Sequence, residues 1–366
     1  MTDPIALGNR AGTGEAEATG TAPSSPASGA PILPWPGELV QVGDAEVFVR
    51  STPDRPGFEP AVFVHGLGGS ALNWTDLMRL LSDPDARRAG RLGRGRSWRR
   101  ANGLDEAPPL SGAALDLPGF GFSPPPADGD YSLDARVGVV ISLIDSRGTG
   151  PVHLIGNSLG GAICTRIAAR RPDLVRTLTL ISPALPDLRP RPLPLRLAVI
   201  AMPGVGRWLL TKMQAIPPER RTDTSIAELY VDPNRIQPER RAEAIAEVIR
   251  RDGLGYSVDA LLGSARSLLT EYTRPGPASL WRDAARVLAP TLLIHGSHDR
   301  LVNPGMAGRA ARTFPNCRVV VLPRIGHVAM MERPDLVAAE IREFLRRTRA
   351  DSAATDNWTA LSAVGR

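Results

Sequence analysis

The sequence contains few of the residues that would assign it to a specialised class of protein. It has two cysteines in 366 residues, too few for a disulfide framework, so we expect a reducing, cytoplasmic setting. No apolar run is long enough to cross a membrane, and the first residues lack the basic and apolar stretches of a signal peptide. Lysine occurs once, as Lys212, so the cations are nearly all arginines. These shortages predict a globular protein with no stable membrane insertion.

The charge balance argues against one class of partner. The formal net charge is +6, but the 44 basic residues are spread along the chain among 38 acidic ones. No nucleic-acid recognition motif accompanies them, so we expect no nucleic-acid partner. An arginine-rich stretch over 87–100 contains glycines and falls between a predicted helix and a predicted strand. We interpret it as a solvated loop.

Composition separates an ordered middle from two ends rich in small and polar residues. Residues 1–35 are mostly Ala, Gly, Pro, Ser and Thr, which predicts a disordered leader, and residues 349–366 are predicted to form a flexible tail. Between them, β-rich runs alternate with helix-like segments. This alternation is typical of an α/β fold with a doubly wound, mostly parallel sheet that is covered on both faces. The eight predicted strands are 39–42, 46–50, 60–65, 112–117, 152–157, 177–181, 291–295 and 318–322.

The alternation is interrupted once. From about residue 185 to 287, helical segments rich in proline and arginine follow one another without a convincing strand. We therefore predict an α/β core over 36–185 and 286–348, with an inserted helical cap over 186–285 above the carboxyl ends of the strands. The apolar stretch over 195–210, which includes Leu197 and Met202, is expected to roof a substrate pocket.

A strand, a sharp turn and a helix carry the candidate nucleophile. The pattern Gly156-x-Ser158-x-Gly160 follows the predicted strand over 152–157 and precedes a helix. In such a nucleophile elbow, the turn holds the serine in a strained backbone geometry and leaves room only for glycine on either side. The five-residue pattern alone is weak evidence for a nucleophile. Its position between a predicted strand and a predicted helix makes the evidence stronger. Ser158 is the residue that this arrangement predicts as nucleophile.

A serine hydroxyl needs a base to take its proton, and the base needs a third group to hold it. His327 follows the last predicted strand and Asp299 follows the strand before it. Both positions therefore lie past the carboxyl ends of strands, as the nucleophile does. His298 competes as base because it adjoins Asp299, and Asp187 competes as acid because it stands after an earlier strand. The remaining histidines have structural interpretations: His65, His153 and His295.

Four motifs resemble those of the α/β-hydrolase superfamily, and the resemblance covers roughly residues 36–348. It implies an eight-stranded α/β-hydrolase core with a helical cap and a triad of Ser158, Asp299 and His327. It also implies an oxyanion hole that is formed by the backbone N–H groups of Leu67 and Leu159. The motifs are His65-Gly-Leu-Gly-Gly-Ser70, Asp116-Leu-Pro-Gly-Phe-Gly-Phe-Ser123, Gly156-Asn-Ser-Leu-Gly-Gly161, and the pair His295-Gly-Ser-His-Asp299 and Gly326-His327.

The predicted activity is hydrolysis of a carboxylic ester of a small or medium hydrophobic substrate through an acyl-enzyme, without a metal or organic cofactor. One alternative is a carbon–carbon bond hydrolase acting on vinylogous diketones, because residues 156–161 resemble the elbow of those enzymes. The loop beyond His65 offers Ser70 and Asn73 as polar groups for such a substrate, but no arginine motif is visible near it. A second alternative is a ligand receptor of the same fold that does not turn over. Epoxide hydrolases and haloalkane dehalogenases use an aspartate nucleophile, so Ser158 argues against both.

Overall fold

The structure, a computed structural model, describes residues 33–83, 107–187, 198–274 and 276–364. Residues 1–32 of the predicted leader lie outside the described residues. So do the arginine-rich stretch over 87–100 and Leu197.

One eight-stranded sheet forms the centre of the protein. The strand order is β1-β2-β4-β3-β5-β6-β7-β8. The β1–β2 and β2–β4 pairs are antiparallel and all other pairs are parallel. This confirms the predicted fold class, and every predicted strand is present with bounds shifted by at most two residues. The strands are β1 Gly37–Val42, β2 Ala45–Ser51, β3 Glu59–Val64, β4 Leu110–Leu115, β5 Val152–Asn157, β6 Val175–Ile181, β7 Thr291–Gly296 and β8 Cys317–Leu322.

Helices cover both faces of the sheet. Because successive side chains of a strand point to opposite faces, Leu154 of β5 packs in one core cluster and its neighbour Ile155 in the other. The helices are α1 Thr75–Ser82, α2 Leu133–Arg147, α3 Leu159–Arg170, α4 Val205–Gln214, α5 Pro218–Leu229, α6 Pro238–Asp252, α7 Ser257–Thr273, α8 Leu280–Ala284, α9 Met306–Thr313, α10 Ala329–Glu332 and α11 Pro334–Val364.

The two layers of helices follow from the positions of apolar residues. Buried side chains of α2 and α3 belong to the cluster of Leu154, and those of α1 and α11 belong to the cluster of Ile155. Helix α11 begins at Pro334, where proline is tolerated in the first turn, and continues to Val364. The residues predicted as a tail are therefore helical through Val364, and their flexibility stays a prediction.

The chain between β6 and β7, residues 182–290, is called the β6–β7 connection below. Its described residues form helices α4 to α8 and no strand, and α4 packs on α7, which in turn packs on α2. Met202 is 49% exposed, and its place in the roof of a substrate pocket stays a prediction. The division of core and cap at residues 186 and 285 stays a prediction. Among the described residues, no helix combines the length and the apolar character needed to cross a membrane.

A buried cluster of charges joins this connection to the core. Arg166 of α3 is fully buried, and its Nη2 donates to Glu271 Oε2 of α7 at 2.6 Å. Its Nε donates to Asp283 Oδ2 of α8 at 2.9 Å, and its Nη1 donates to Asp134 Oδ1 of α2 at 3.1 Å. Since α3 starts directly after Ser158, the cluster connects the helix behind the elbow to both α7 and α8.

Candidate active site

Ser158 lies at the junction of β5 and α3 in a conformation that non-glycine residues rarely adopt. Its φ is 53° and its ψ is −116°. Strain of this kind costs about 1–3 kcal/mol and persists only where the surroundings impose it. Here the Ser158 N–H donates to Ile181 O at 3.1 Å, and the Ser158 carbonyl accepts from Ala162 and Ala184. These bonds on both sides of the residue hold the turn.

The two glycines of the elbow are required by close packing. A Cβ on Gly160 would overlap the carbonyl oxygen of Val64 and lie 2.7 Å from that of His65. A Cβ on Gly156 would lie 2.7 Å from Cys164 Sγ. Any larger residue would push α3 away from the carboxyl end of β3, so the tight turn depends on both glycines.

His327 and Asp299 form a direct pair. His327 Nδ1 lies 2.9 Å from Asp299 Oδ2, and both side chains are buried. The other carboxylate oxygen of Asp299 accepts the N–H groups of Leu301 at 2.8 Å and Val302 at 2.9 Å. Because the carboxylate accepts from Nδ1–H, the neutral imidazole keeps Nε2 unprotonated and able to take a proton.

The surroundings keep Asp299 ionised. Burial raises the pKa of Asp299. The charge of His327, its hydrogen bond and the N–H of Val302 all lower this pKa, and together they outweigh burial, so the pKa lies below its usual value. The carboxylate is therefore charged at neutral pH. It can hold the imidazole in one tautomer and stabilise the imidazolium once a proton arrives.

Asn157 brings the histidine loop to the elbow. Its Nδ2 donates to Ile181 O at 3.0 Å and to the backbone oxygen of His327 at 3.3 Å. Since Asn157 precedes Ser158 directly, the three predicted catalytic residues come together at the carboxyl ends of β5 and β7 and beyond β8. The competing residues are engaged elsewhere. His298 is exposed, with its Nδ1 2.7 Å from Ser297 Oγ, and Asp187 accepts from Asn303 Nδ2 at 3.0 Å.

The loop after β3 lies against Ser158. A Cβ on Gly66 would lie 3.1 Å from Ser158 Cβ. The backbone N–H of Leu159 is in the first turn of α3, where N–H groups have no partner within the helix. Within the described part of the chain, the N–H of Leu67 has no acceptor either. The oxyanion role of these two N–H groups stays a prediction.

His65 shapes this loop as a neutral side chain. Its Nδ1 lies 2.7 Å from the Gly66 oxygen and its Nε2 accepts the Leu117 N–H at 2.9 Å, so the proton is on Nδ1. Burial lowers the pKa of His65 to about 4. The imidazole thus stays uncharged at neutral pH and acts as a fixed donor and acceptor between two loops.

Asp116 organises the neighbouring loop. Its carboxylate accepts the N–H groups of Ala71 at 2.6 Å and Phe122 at 2.8 Å, and Ser123 Oγ donates to its backbone oxygen at 2.6 Å. Burial raises the pKa of Asp116 to about 6, although both N–H donors act in the opposite direction. These contacts support the architectural interpretation of residues 116–123.

Two residues of the β6–β7 connection lie against the loop after β3, and the sequence did not predict either of them there. Arg251 of α6 donates from Nη1 to Gly68 O at 3.3 Å, and a Cβ on Gly68 would lie 3.9 Å from Leu261 Cδ1 of α7. Burial lowers the pKa of Arg251. The sequence showed no arginine motif near this loop, and the structure brings Arg251 to it from a distant part of the chain. Nothing in the pattern around Arg251 distinguishes it from the other arginines.

The side chains do not suggest a metal centre. Among the described residues, no group of three or more His, Cys, Asp or Glu side chains is arranged to hold a metal ion.

Comparison with known proteins agrees with this geometry. The family model for the alpha/beta hydrolase fold matches residues 60–334. The match covers most of the chain, so the protein belongs to the α/β-hydrolase fold family.

The individual curated relatives match the chain either at low identity or over a short stretch. The chain is 45% identical over 91 residues to lipase LipV of Mycobacterium tuberculosis (strain ATCC 25618 / H37Rv), a match that covers 25% of this chain and 33% of the lipase. It is 26% identical over 301 residues to the dihydrolipoyllysine-residue acetyltransferase component of the acetoin cleaving system of Pseudomonas putida, covering 80% of this chain and 64% of that protein. The chain therefore spans less than two thirds of the length of these two curated relatives.

A solved structure shares the fold. The 2-hydroxy-6-oxo-6-phenylhexa-2,4-dienoate hydrolase from Rhodococcus sp. strain RHA1 superposes with a TM-score of 0.62 at 21% identity. The superposition covers 85% of this chain and 100% of that one. At this identity the likeness extends to the fold alone.

Proposed function

We propose that the protein is a serine hydrolase that cleaves carboxylic esters of small or medium hydrophobic substrates through an acyl-enzyme. The observation that carries this proposal is the 2.9 Å contact between His327 Nδ1 and Asp299 Oδ2 beside a serine held at φ 53°. A strained serine with an oriented histidine nearby is the arrangement that activates a hydroxyl as nucleophile.

In the proposed mechanism the same groups act in both half-reactions. Ser158 Oγ attacks the ester carbonyl while His327 Nε2 takes the hydroxyl proton, and Asp299 stabilises the imidazolium. The N–H groups of Leu67 and Leu159 stabilise the oxyanion, since fixed donors meet developing charge without reorganising. His327 then protonates the leaving alcohol. A water molecule, deprotonated by the same histidine, then attacks the acyl-enzyme, and the imidazolium returns the proton to Ser158 Oγ as the acid leaves.

The predicted cap over residues 186–285 supplies pocket walls in this proposal, while the reacting groups come from the core. Leu261 is the best probe of that wall, because it lies above the oxyanion loop. We expect Leu261→Trp to shift the preferred acyl chain length of p-nitrophenyl esters toward shorter acids. A chain-length profile equal to that of the wild type would show that α7 does not line the pocket.

A second candidate is hydrolysis of a carbon–carbon bond in a vinylogous diketone. One observation favours it: Arg251 carries a cation to the oxyanion loop, where a substrate carboxylate could pair with it. Activity on a ring-fission dienoate far above that on every ester, lost in Arg251→Gln and kept in Arg250→Gln, would favour this chemistry. A receptor of the same fold would bind a ligand and release no product.

The test of the main proposal is covalent labelling with a fluorophosphonate, followed by kinetics on p-nitrophenyl esters. Wild-type protein should be labelled and Ser158→Ala should not. Ser158→Ala and His327→Ala should each lower kcat by about a millionfold with unchanged circular dichroism, because nucleophile and base act as one unit. Labelling of the Ser158→Ala variant at the wild-type rate would reject Ser158 as nucleophile. The unpaired state of both cysteines agrees with the cytoplasmic setting that we include in the proposal.

A further inference from the structure

A buried carboxylate lies behind the loop that carries His327. Glu332, the last residue of α10, is 2% exposed. Its Oε2 accepts the N–H of Gly326, the residue before His327, at 2.8 Å. The carboxylate is five residues from His327 along the chain and touches its loop through the backbone, so it acts on the position of the loop.

The other oxygen of Glu332 reaches into the β6–β7 connection. Oε1 accepts the N–H groups of Val231 at 3.2 Å and Asp232 at 3.3 Å, and it accepts from Arg235 Nη1 at 2.9 Å. These three donors lie in the segment between α5 and α6. One buried carboxylate therefore binds the histidine loop with one oxygen and the connection with the other.

Backbone contacts bring the same two segments together. The His327 N–H donates to Leu229 O at 2.8 Å. A Cβ on Gly326 would overlap that same oxygen and lie 3.2 Å from the backbone carbon of Tyr230. The segments are too close for an intervening side chain, and Tyr230 is itself buried. The end of α5 thus forms one wall of the pocket in which the histidine loop sits.

We propose that Glu332 is a positioning residue that couples the catalytic histidine to the β6–β7 connection. This inference rests on the proposed function, in which His327 is the general base. All four groups that Glu332 contacts are donors, and a carboxylate accepts hydrogen bonds on both of its oxygens. Its two ends hold the loop and the connection in one fixed relation, so the orientation of His327 depends on where residues 229–235 sit.

Glu332→Gln is the direct test. The amide would turn an NH₂ donor toward either the Gly326 N–H or the Val231 and Arg235 donors, which releases one end of the bridge. Glu340→Gln is a matched control, because Glu340 of α11 forms a partly exposed pair with Arg318 at 2.8 Å. Steady-state kinetics on p-nitrophenyl butyrate give kcat and KM. The proton resonance of His327 Nδ1–H, observed by NMR, reports the contact with Asp299 without any substrate.

We expect Glu332→Gln to fold, to lower kcat about 100-fold with little change in KM, and to shift or broaden the Nδ1–H resonance. Glu340→Gln should match the wild type in all three. A purely structural role would lower stability and leave kcat of the folded protein unchanged. Wild-type kcat together with an unchanged resonance in folded Glu332→Gln would overturn the proposal.

Arg235→Gln keeps the proposal falsifiable if Glu332→Gln does not fold. Arg235 is partly exposed, and its loss weakens only the connection end of the bridge, where the N–H groups of Val231 and Asp232 still donate to Glu332 Oε1. It should lower kcat less than Glu332→Gln and disturb the same resonance, and an unchanged resonance would count against the coupling. If wild-type protein neither hydrolyses esters nor reacts with fluorophosphonate, the proposed function fails. The resonance would still decide whether Glu332 positions His327.

Discussion

Replacing Arg166 by methionine should reveal how strongly the β6–β7 connection is held to the core. Methionine preserves much of the length of the side chain and removes the charge. The wild-type guanidinium is fully buried and makes five hydrogen bonds, to Asp134, Asp283, the Ala278 oxygen and, twice, Glu271. All of them are lost in Arg166→Met.

The size of the effect follows from the carboxylates that remain. Glu271 is 2% exposed and Asp283 is 5% exposed, so neither can be hydrated where it stands. Removing one partner of a buried ion pair costs about 3–5 kcal/mol, because the other charge is left without compensation. Arg274 still lies 3.2 Å from Glu271, so we expect the lower end of this range, about 3 kcal/mol. That is a large share of the roughly 5–15 kcal/mol by which proteins are stable.

Urea denaturation followed by tryptophan fluorescence measures this loss as a change in the free energy of unfolding. Arg171→Met is the control, since Arg171 pairs with Asp145 and Asp173 on the surface and should matter little. The triple variant Arg166→Met, Glu271→Leu, Asp283→Leu should recover most of the stability, because it leaves no unpaired buried charge. A loss in Arg166→Met no greater than that in Arg171→Met would refute the reasoning.

Three further predictions follow from single contacts. Asp299→Asn should lower kcat on p-nitrophenyl butyrate about 10,000-fold, because the amide favours the wrong imidazole tautomer, whereas Asp187→Asn should stay near wild type; the reverse order would assign the acid to Asp187. Gly160→Ala should not accumulate as folded protein, because its Cβ would overlap a carbonyl oxygen of β3. Gly138→Ala has open space in α2, so its free energy of unfolding should rise by about 0.5–1 kcal/mol. Soluble yield and urea midpoints measure the two effects, and equal outcomes would contradict the packing argument. Burial holds the pKa of His65 at about 4 in the folded protein, so between pH 6.5 and about 4 only the unfolded chain binds a proton there. The free energy of unfolding therefore falls as the pH falls through this window. The stability advantage of wild type over His65→Gln should accordingly shrink by about 3 kcal/mol across that window in urea titrations, and a difference independent of pH would be inconsistent with a buried neutral imidazole.

The sequence by itself determined the elements around the nucleophile. The strand predicted over 152–157 has the same bounds in the structure, and the helix begins directly after Ser158. Strand runs, the glycine pattern and the start of a helix are properties of short windows, which residues close in sequence are sufficient to specify. For the same reason all eight strands could be located within two residues, and the order Ser, Asp, His could be read from three loops.

Only the tertiary structure decided which side chains meet. Two histidines and two aspartates fitted the local patterns, and the structure pairs His327 with Asp299. Arg251 reaches Gly68 across 183 positions, and Glu332 reaches Val231 across 101. No periodicity records such contacts, because they depend on where the whole β6–β7 connection packs against the sheet. Short stretches of sequence fix which polar residues stand at the strand ends. The contacts that orient these residues are set by packing between distant segments.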